Sequence, residues 1–308
     1  MANAPFPIQP ELTAIAIRYR HPPMIADAVL PRLRVGKQEF KWLEHVLEES
    51  FTIPDTKVGR RSRPNEVEFN AIEQTSSTVD YALDDPIPQA DLMNAPPNHD
   101  PMAVAVEYVM KLIELDREVR VGGMVFNANT YPTGRKVTLS GSTQWSHVDS
   151  NPVDAMLSAM DLMVMRPNVV VFGQAVWTKV RQHPKVVNAI FGANANAGTA
   201  TREQVAALLE VDRIEVGQGW VNTARKGQPR NMVRVWGKHA AMLHLDSQAD
   251  TQRGSTFGFT AQWGDRIAGA IPDPHIGARG GQRVRAGESV REIVAAPDFG
   301  YFFENAVA

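Results

Sequence analysis

The side chains best suited to metal ligation or proton transfer are eight histidines, at positions 21, 45, 99, 147, 183, 239, 244 and 275. Only His147-x-Asp149 and His244-x-Asp246 set one beside a carboxylate at ligand-like spacing. Two-residue patterns arise by chance, and a catalytic zinc needs three protein ligands and an open position, so surface or capping histidines are the better reading. Gly217-Gln218-Gly219 begins like a dinucleotide fingerprint, but Asn222 stands where the third glycine belongs and no strand–helix–strand unit follows, so it reads as a turn. There is no GxxxxGK(S/T), HExxH or GxSxG. Phosphate-loop, zincin and hydrolase-elbow chemistry therefore have no anchor. We assign no catalytic residue, no metal ligand and no cofactor.

The chemistry that does stand out is electrostatic. Lys57, Arg60, Arg61 and Arg63 fall within one short segment, whereas residues 73–118 hold ten acids against Lys111 and Arg117. A basic segment of this kind can be a solvated loop, a contact for DNA phosphates, or a docking element for an acidic neighbour. Docking is favoured, because the same chain supplies the acidic block and segregated charge fixes register between copies. The expected partners on an adjacent subunit are Asp80, Asp84, Asp85, Glu114 and Glu118. The carboxylates of 73–118 could also include an acid/base pair, but a solvated or interface-facing run is the better reading.

The elements that must carry these charges follow from punctuation and periodicity. Residues 1–35 hold Pro5, Pro7, Pro10, Pro22, Pro23 and Pro31, a density that blocks long helices and central strands and reads as an extended arm. Such an arm needs another surface, a neighbouring subunit or a distant part of the same chain, and Phe6, Ile8, Leu12, Ile15 and Ile17 are expected to be buried by other chains. Val35–Phe51 alternates partly, with Phe40, Trp42 and Val46 on one parity and Leu43 and Leu47 on the other, and Val67, Phe69 and Ala71 repeat the pattern after the basic tip. This predicts a long hairpin exposed on both faces. Asp100-Pro101 is a helix start, and the helix is expected to run over 101–121, stopping at Gly122-Gly123, with Glu107, Lys111, Glu114 and Glu118 as its polar stripe. Asn151-Pro152 opens a second helix with buried methionines, Val169–Phe172 reads as a buried strand, and Thr201-x-x-Gln204 is a capping box. Strands follow at Arg213–Val216, Met232–Trp236, Ala240–Leu245, Phe257–Trp263 and Val284–Ala295. Helices and strands without regular alternation predict an α+β fold.

Composition sets the outer bounds. With 308 residues, 44% hydrophobic and 21% charged, the chain can bury a real core and falls outside the collagenous and disordered classes. A net charge of −2 disfavours a dedicated nucleic-acid binder, leaving only local contacts such as Arg18 and Arg20. Zero cysteines exclude disulfides, thiolate metal sites and a thiol nucleophile, so cohesion between chains is expected to be non-covalent. No stretch approaches the roughly 18 to 20 apolar residues of a membrane span, and the chain is expected to be made in the cytosol.

Three passages resemble one family. The run Ile25–Val35 (IADAVLPRLRV), the loop Phe51–Glu68 (FTIPDTKVGRRSRPNEVE) and the ending Arg283–Phe303 (RVRAGESVREIVAAPDFGYFF) are similar to major capsid proteins of tailed bacteriophages with the Hong Kong 97-type fold, in the same order along the chain. The resemblance implies an N-terminal arm (1–35), an extended loop (36–95), a peripheral domain with a spine helix (96–150 with 257–308) and an axial domain (151–256). It implies pentamers and hexamers of an icosahedral shell around packaged double-stranded DNA, in virions assembled in the host bacterial cytoplasm. The implied partners are copies of itself, a portal, a separate scaffolding protein, since the arm begins almost at Met1, and in some relatives a decoration protein. Some members crosslink a loop lysine to a peripheral asparagine. Lys57 and Asn305 lie in the matching segments, but no motif fixes either partner or the assisting glutamate, so the crosslink is not carried over. The alternatives are an encapsulin-type shell around protein cargo and a soluble α+β enzyme.

Overall fold

The computed structural model describes residues 6–21, 23–45, 51–67, 71–192, 198–251 and 254–308. In chain order the first part comprises α1 (Pro10–Arg18), α2 (Ala26–Val29), β1 (Arg32–Val35), β2 (Glu39–His45), β3 (Ala71–Ser77), β4 (Val79–Pro88), α3 (Gln89–Asn94) and the long α4 (Pro101–Val125). The second part runs β5 (Lys136–Thr138), α5 (Pro152–Leu162), β6 (Val169–Gly173), α6 (Gln174–Val180), α7 (Pro184–Phe191), α8 (Arg202–Leu209), β7 (Arg213–Gly217), β8 (Trp220–Asn222), β9 (Met232–Arg234) and β10 (Ala240–Leu243). The long strands β11 (Gly258–Asp273) and β12 (Gly281–Val294), then β13 (Gly300–Glu304), complete it.

Two sheets organise the fold. The first has the order β1-β11-β12-β4 and the second β5-β13-β10-β6-β7. α4 lies over the first sheet, with Ala105, Val106, Val109, Met110 and Ile113 packed on Ala268, Ala270, Val284 and Ala286. Its C-terminal end enters a second core, where Val121 and Val125 meet Val169, Val171 and Phe302 of the other sheet and Trp236 of the segment before β10. The far face of that sheet is covered by α5 to α8 through Met156, Met160, Val176, Val180, Val205 and Leu209.

The local signals place several elements. The Asp100 side chain accepts from the Met102 amide, and the Asn151 side chain from the Asp154 amide, so both caps close the orphan donors they precede. The Thr201–Gln204 box is formed in both directions. Val169–Gly173 is buried throughout, as a strand with neighbours on both sides and cover on both faces must be.

Other expectations are corrected. α4 runs through Gly122-Gly123 to Val125. A Cβ on Gly122 would stand 3.0 Å from Val235, so glycine there allows close approach, and burial of Val121 and Val125 outweighs its cost of about 1 kcal/mol in a helix. The arm is not extended throughout, since Pro10 takes the first position of a helix, where its missing N–H is no loss. β2 and β3 pair antiparallel from Glu39↔Ser77 to His45↔Ala71. The base of this ribbon is not exposed on both faces, because Phe40 is buried and it and Trp42 join the cluster of Val35, Phe259 and Ile293. Val46, Leu47 and Phe69 of the expected hairpin, and the arm prolines Pro5 and Pro22, lie outside the described residues. The expected division of the chain also shifts. β5 and β13 belong to the second sheet, and Phe303, Ala306 and Val307 sit in the core under α5 to α8, so residues 136–138 and 300–307 pack with 151–256.

The chain exposes 17,946 Å². A globular monomer of 34.0 kDa is expected to expose about 13,000 Å². The excess shows a chain more extended than a globular monomer of its mass.

Candidate assembly surface

The ribbon β2–β3 ends in a tip, residues 51–67, every one of which is exposed. Its shape comes from its own polar groups. Asp55 Oδ1 accepts the Lys57 amide at 2.9 Å, Asn65 Nδ2 donates to the Asp55 carbonyl at 2.9 Å, and the Ser62 amide reaches the Gly59 carbonyl at 3.0 Å. Among the described residues Lys57, Arg60, Arg61 and Arg63 form no salt bridge. Phe51, Ile53, Val58 and Val67 stand beside them, with Ile53 91% exposed. An exposed cationic cluster interleaved with open apolar side chains is matched to a surface with carboxylates and apolar ground.

Of the five expected carboxylate partners, three have partners at home. Asp84 is held bidentate by Arg285, at 2.6 Å from Nε and 2.9 Å from Nη2, and this pairing lowers its pKa. Glu114 and Glu118 are buried. This corrects their reading as docking carboxylates on a solvated stripe. Asp80 is exposed and Asp85 half-buried, and neither forms a salt bridge within the chain among the described residues.

Glu114 and Glu118 instead fasten the arm. Glu118, with no exposed surface, accepts the amides of Ile25 at 3.0 Å and Ala26 at 2.8 Å and the indole Nε1–H of Trp236 at 2.5 Å. One carboxylate thus joins the arm, the spine helix α4 and the segment leading into β10. Burial pushes its pKa up against the pull of these hydrogen bonds. Glu114 accepts the His21 amide at 2.9 Å and pairs with Arg266 at 3.0 Å. Arg266 also donates to the carbonyls of Ala16 at 3.1 Å and Tyr19 at 3.0 Å, which closes the C-terminal end of α1.

The cluster continues as a chain of alternating charge. Arg266 meets Glu288 at 3.0 Å, Glu288 meets Arg32 at 2.8 Å, Arg32 meets Asp27 at 2.7 Å, and Asp27 also binds Arg117. Arg117 donates to Thr260 Oγ1 at 2.9 Å and to the Leu30 carbonyl at 3.2 Å. Burial alone would raise the Asp27 pKa, but Arg117 and Arg32 together hold it at about 2. Glu288 is lowered likewise, the charge of Arg32 leading the pull against its burial. Glu292 takes Arg120 at 2.9 Å, and Arg120 lies 3.7 Å over the Tyr81 ring.

The apolar arm residues divide. Leu12 is buried and Ile15 half-buried against the protein's own α4 and first sheet, and half-buried Phe6 lies against Gly269 under Arg285. Their burial is therefore within the chain, correcting the expectation that other subunits cover them. A helix that presents Leu12, Ile15 and Ala16 on one face needs only one apolar surface, and β11 is the nearest. Ile8 and Ile17 remain 54% and 43% exposed. Arg18 is exposed, while Arg20 lies 3.9 Å from Asp27.

Asp27, Arg32, Arg117, Arg266, Glu288, Glu292 and Trp236 escaped the sequence reading. A signal was present, since Glu288 and Glu292 occupy the same parity as Val284, Ala286 and Val290 along β12, and Arg266 that of Ala268 and Ala270 along β11. Charges on the inward parity of a strand imply buried partners. The histidine pairs gather no further ligands. His147 lies 3.6 Å from Asp149 in the open, and His244 Nδ1 is paired with the Arg166 carbonyl at 2.9 Å. Among the described residues no group of three or more His, Asp or Glu could hold a metal. The Gly217–Gly219 turn has a packing reason, because a Cβ on Gly217 would overlap the ring of Trp236.

Residues 115–226 match the family model described as Phage major capsid protein E. The chain is 54% identical to the major capsid protein of Pseudomonas phage JBD67, over 100% of both chains. Among solved structures it is similar to a phage-related protein from Bordetella bronchiseptica RB50, at 22% identity and a TM-score of 0.77 over 98% of this chain and 99% of that one. It also resembles the capsid of cyanophage P-SCSP1u, with a TM-score of 0.58 and 13% identity over 91% and 88% of the two chains. These two likenesses show the fold, the α+β fold of Hong Kong 97-like capsid proteins. The full-length match is to a structural protein, which disfavours both the enzyme and the encapsulin readings. The chain belongs to the major capsid proteins of bacteriophages, and so to the virion.

Proposed function

We propose that copies of this chain assemble through the exposed ribbon tip into pentamers and hexamers of a closed icosahedral shell around double-stranded DNA. The observation that carries this is the tip itself, residues 51–67, with four exposed cations that have no salt-bridge partner among the described residues and open apolar side chains, at the end of a two-stranded ribbon. Asp80 and Asp85 of a neighbouring copy are the carboxylates left to receive Lys57, Arg60, Arg61 and Arg63, and Ile8 and Ile17 offer further apolar ground. Each exposed ion pair contributes little alone, but a shell repeats it in every subunit. A portal, a separate scaffolding protein and a decoration protein complete this reading as partners, with assembly in the host cytoplasm. Among the described residues no helix is long and apolar enough to cross a membrane. The test is electron microscopy of the purified protein beside an Asp80→Asn/Asp85→Asn variant. Wild-type shells with impaired assembly of the variant support the contact, and unimpaired variant shells refute it.

A further inference from the structure

A second basic element lies far from the tip in sequence. From Val216 to Leu245 the chain holds Arg225, Lys226, Arg230, Arg234 and Lys238 and no Asp or Glu, in a protein of net charge −2. The middle of this stretch is the hairpin β8–β9, paired antiparallel from Trp220↔Arg234 to Asn222↔Met232. It leaves the second sheet after Gly217, at the end where β6 and β7 finish side by side.

The hairpin is a built element. Asn222 Oδ1 accepts the amides of Ala224 at 3.1 Å and Asn231 at 2.9 Å, Asn231 Nδ2 donates to Thr223 Oγ1 at 2.9 Å, and Gly227 turns the loop at φ +86°. Its polar bonds join the loop to itself and leave the cations outside. Arg225, Lys226 and Arg230 are exposed, with no salt bridge among the described residues. Arg234 is stacked 4.1 Å from the ring centroid of Trp220, an indole 46% exposed, and one guanidinium nitrogen is anchored to the Gln218 carbonyl at 2.9 Å. Stacking fixes the plane of that guanidinium and leaves its remaining N–H groups open to an anion.

The sign pattern decides what kind of anion. The ribbon tip sets Asp55, Glu66 and open apolar side chains among its cations, as a surface that docks on a protein does, whereas the hairpin carries no acid at all. A basic surface with no acids of its own fits a uniformly charged polymer. We infer that the β8–β9 hairpin, through Arg225, Lys226, Arg230 and the Trp220-backed Arg234, binds the phosphate backbone of duplex DNA without reading its sequence. This rests on the reading of the chain as a DNA-enclosing shell and assigns the contact to one element.

The test uses the purified full-length chain and a random-sequence duplex of 30 base pairs, followed by fluorescence anisotropy from low to moderate salt. Each phosphate contact contributes about 0.9 to the slope of log affinity against log salt. The triple variant Arg225→Gln/Lys226→Gln/Arg230→Gln is therefore expected to lose about 2.7 of that slope. The tip variant Arg60→Gln/Arg61→Gln/Arg63→Gln is expected to keep it. An unchanged slope in the hairpin triple, or no duplex binding by the wild type, overturns the inference. So does poly-glutamate of matched charge binding the hairpin more tightly than DNA, which assigns it to an acidic protein segment. Micrographs of the same preparations separate the two readings: shells formed by wild type and triple alike leave the capsid reading standing whatever the DNA result. Loss of shells in the triple with DNA binding unchanged makes the hairpin an assembly contact and overturns the inference.

Discussion

Replacing Glu118 by glutamine changes no volume and isolates what its carboxylate does. In the native protein its two oxygens receive three buried donors, the amides of Ile25 and Ala26 and the indole of Trp236. A carboxamide has one acceptor oxygen, so its NH2 must face at least one of these N–H groups. A buried donor left without a partner costs about 1–3 kcal/mol, and loss of charge-assisted bonds adds to it, which puts Glu118→Gln at about 2–4 kcal/mol. Against a typical stability of about 5–15 kcal/mol this is a large fraction. The cost should appear in urea unfolding of the unassembled chain as a lower midpoint at unchanged slope. Because two of the three donors belong to the arm, trypsin cleavage after Arg18 and Arg20 should accelerate more than cleavage elsewhere. A midpoint within about 0.5 kcal/mol of wild type, with unchanged cleavage of the arm, would refute the clip and imply a carboxyl already protonated in the fold.

Acid should loosen the same cluster. The Asp27 pKa is depressed to about 2 in the fold, so its contribution is present above the ordinary aspartate value and is lost as pH falls from about 4 towards 2. With its side chain 36% exposed, solvent screening reduces the full linkage to about 1–2 kcal/mol, and Asp27→Asn should remove that part of the pH dependence of unfolding. Gly217→Ala should cost about 1–3 kcal/mol or more in urea, because the added methyl overlaps Trp236 in a packed core; an unchanged midpoint would contradict the packing account. Arg60→Ala/Arg61→Ala/Arg63→Ala should leave subunit unfolding unchanged and make assembly fail at lower salt, as read by light scattering. Assembly with wild-type salt dependence would remove the tip from the interface.

What could be read from the chain was mostly local. Asp100-Pro101, Asn151-Pro152 and the Thr201–Gln204 box announce helices because their polar groups act within one turn. The passages around 25–35, 51–68 and 283–303 gave the fold through their order. The stretch 300–304 did not declare itself a strand of the second sheet, because its neighbours β5 and β10 come from 136–138 and 240–243. Glu114 and Glu118 misled for the same reason. Helical spacing joins them to the exposed Glu107 and Lys111, and their burial depends on donors at Ile25, Trp236 and Arg266, up to 152 residues away in sequence. The arm's apolar residues have no local partner, which left a neighbouring subunit or a distant part of the same chain to cover them; β11, some 250 residues on, covers part of them.

The claim that this subunit is shaped for a shell is tested most directly by electron cryomicroscopy of the purified full-length protein. The account predicts closed particles built of five- and six-fold clusters, with residues 51–67 of each chain lying on a neighbour near Asp80 and Asp85. Small discrete oligomers, or shells in which the tip of every subunit projects uncovered into solvent, would contradict it.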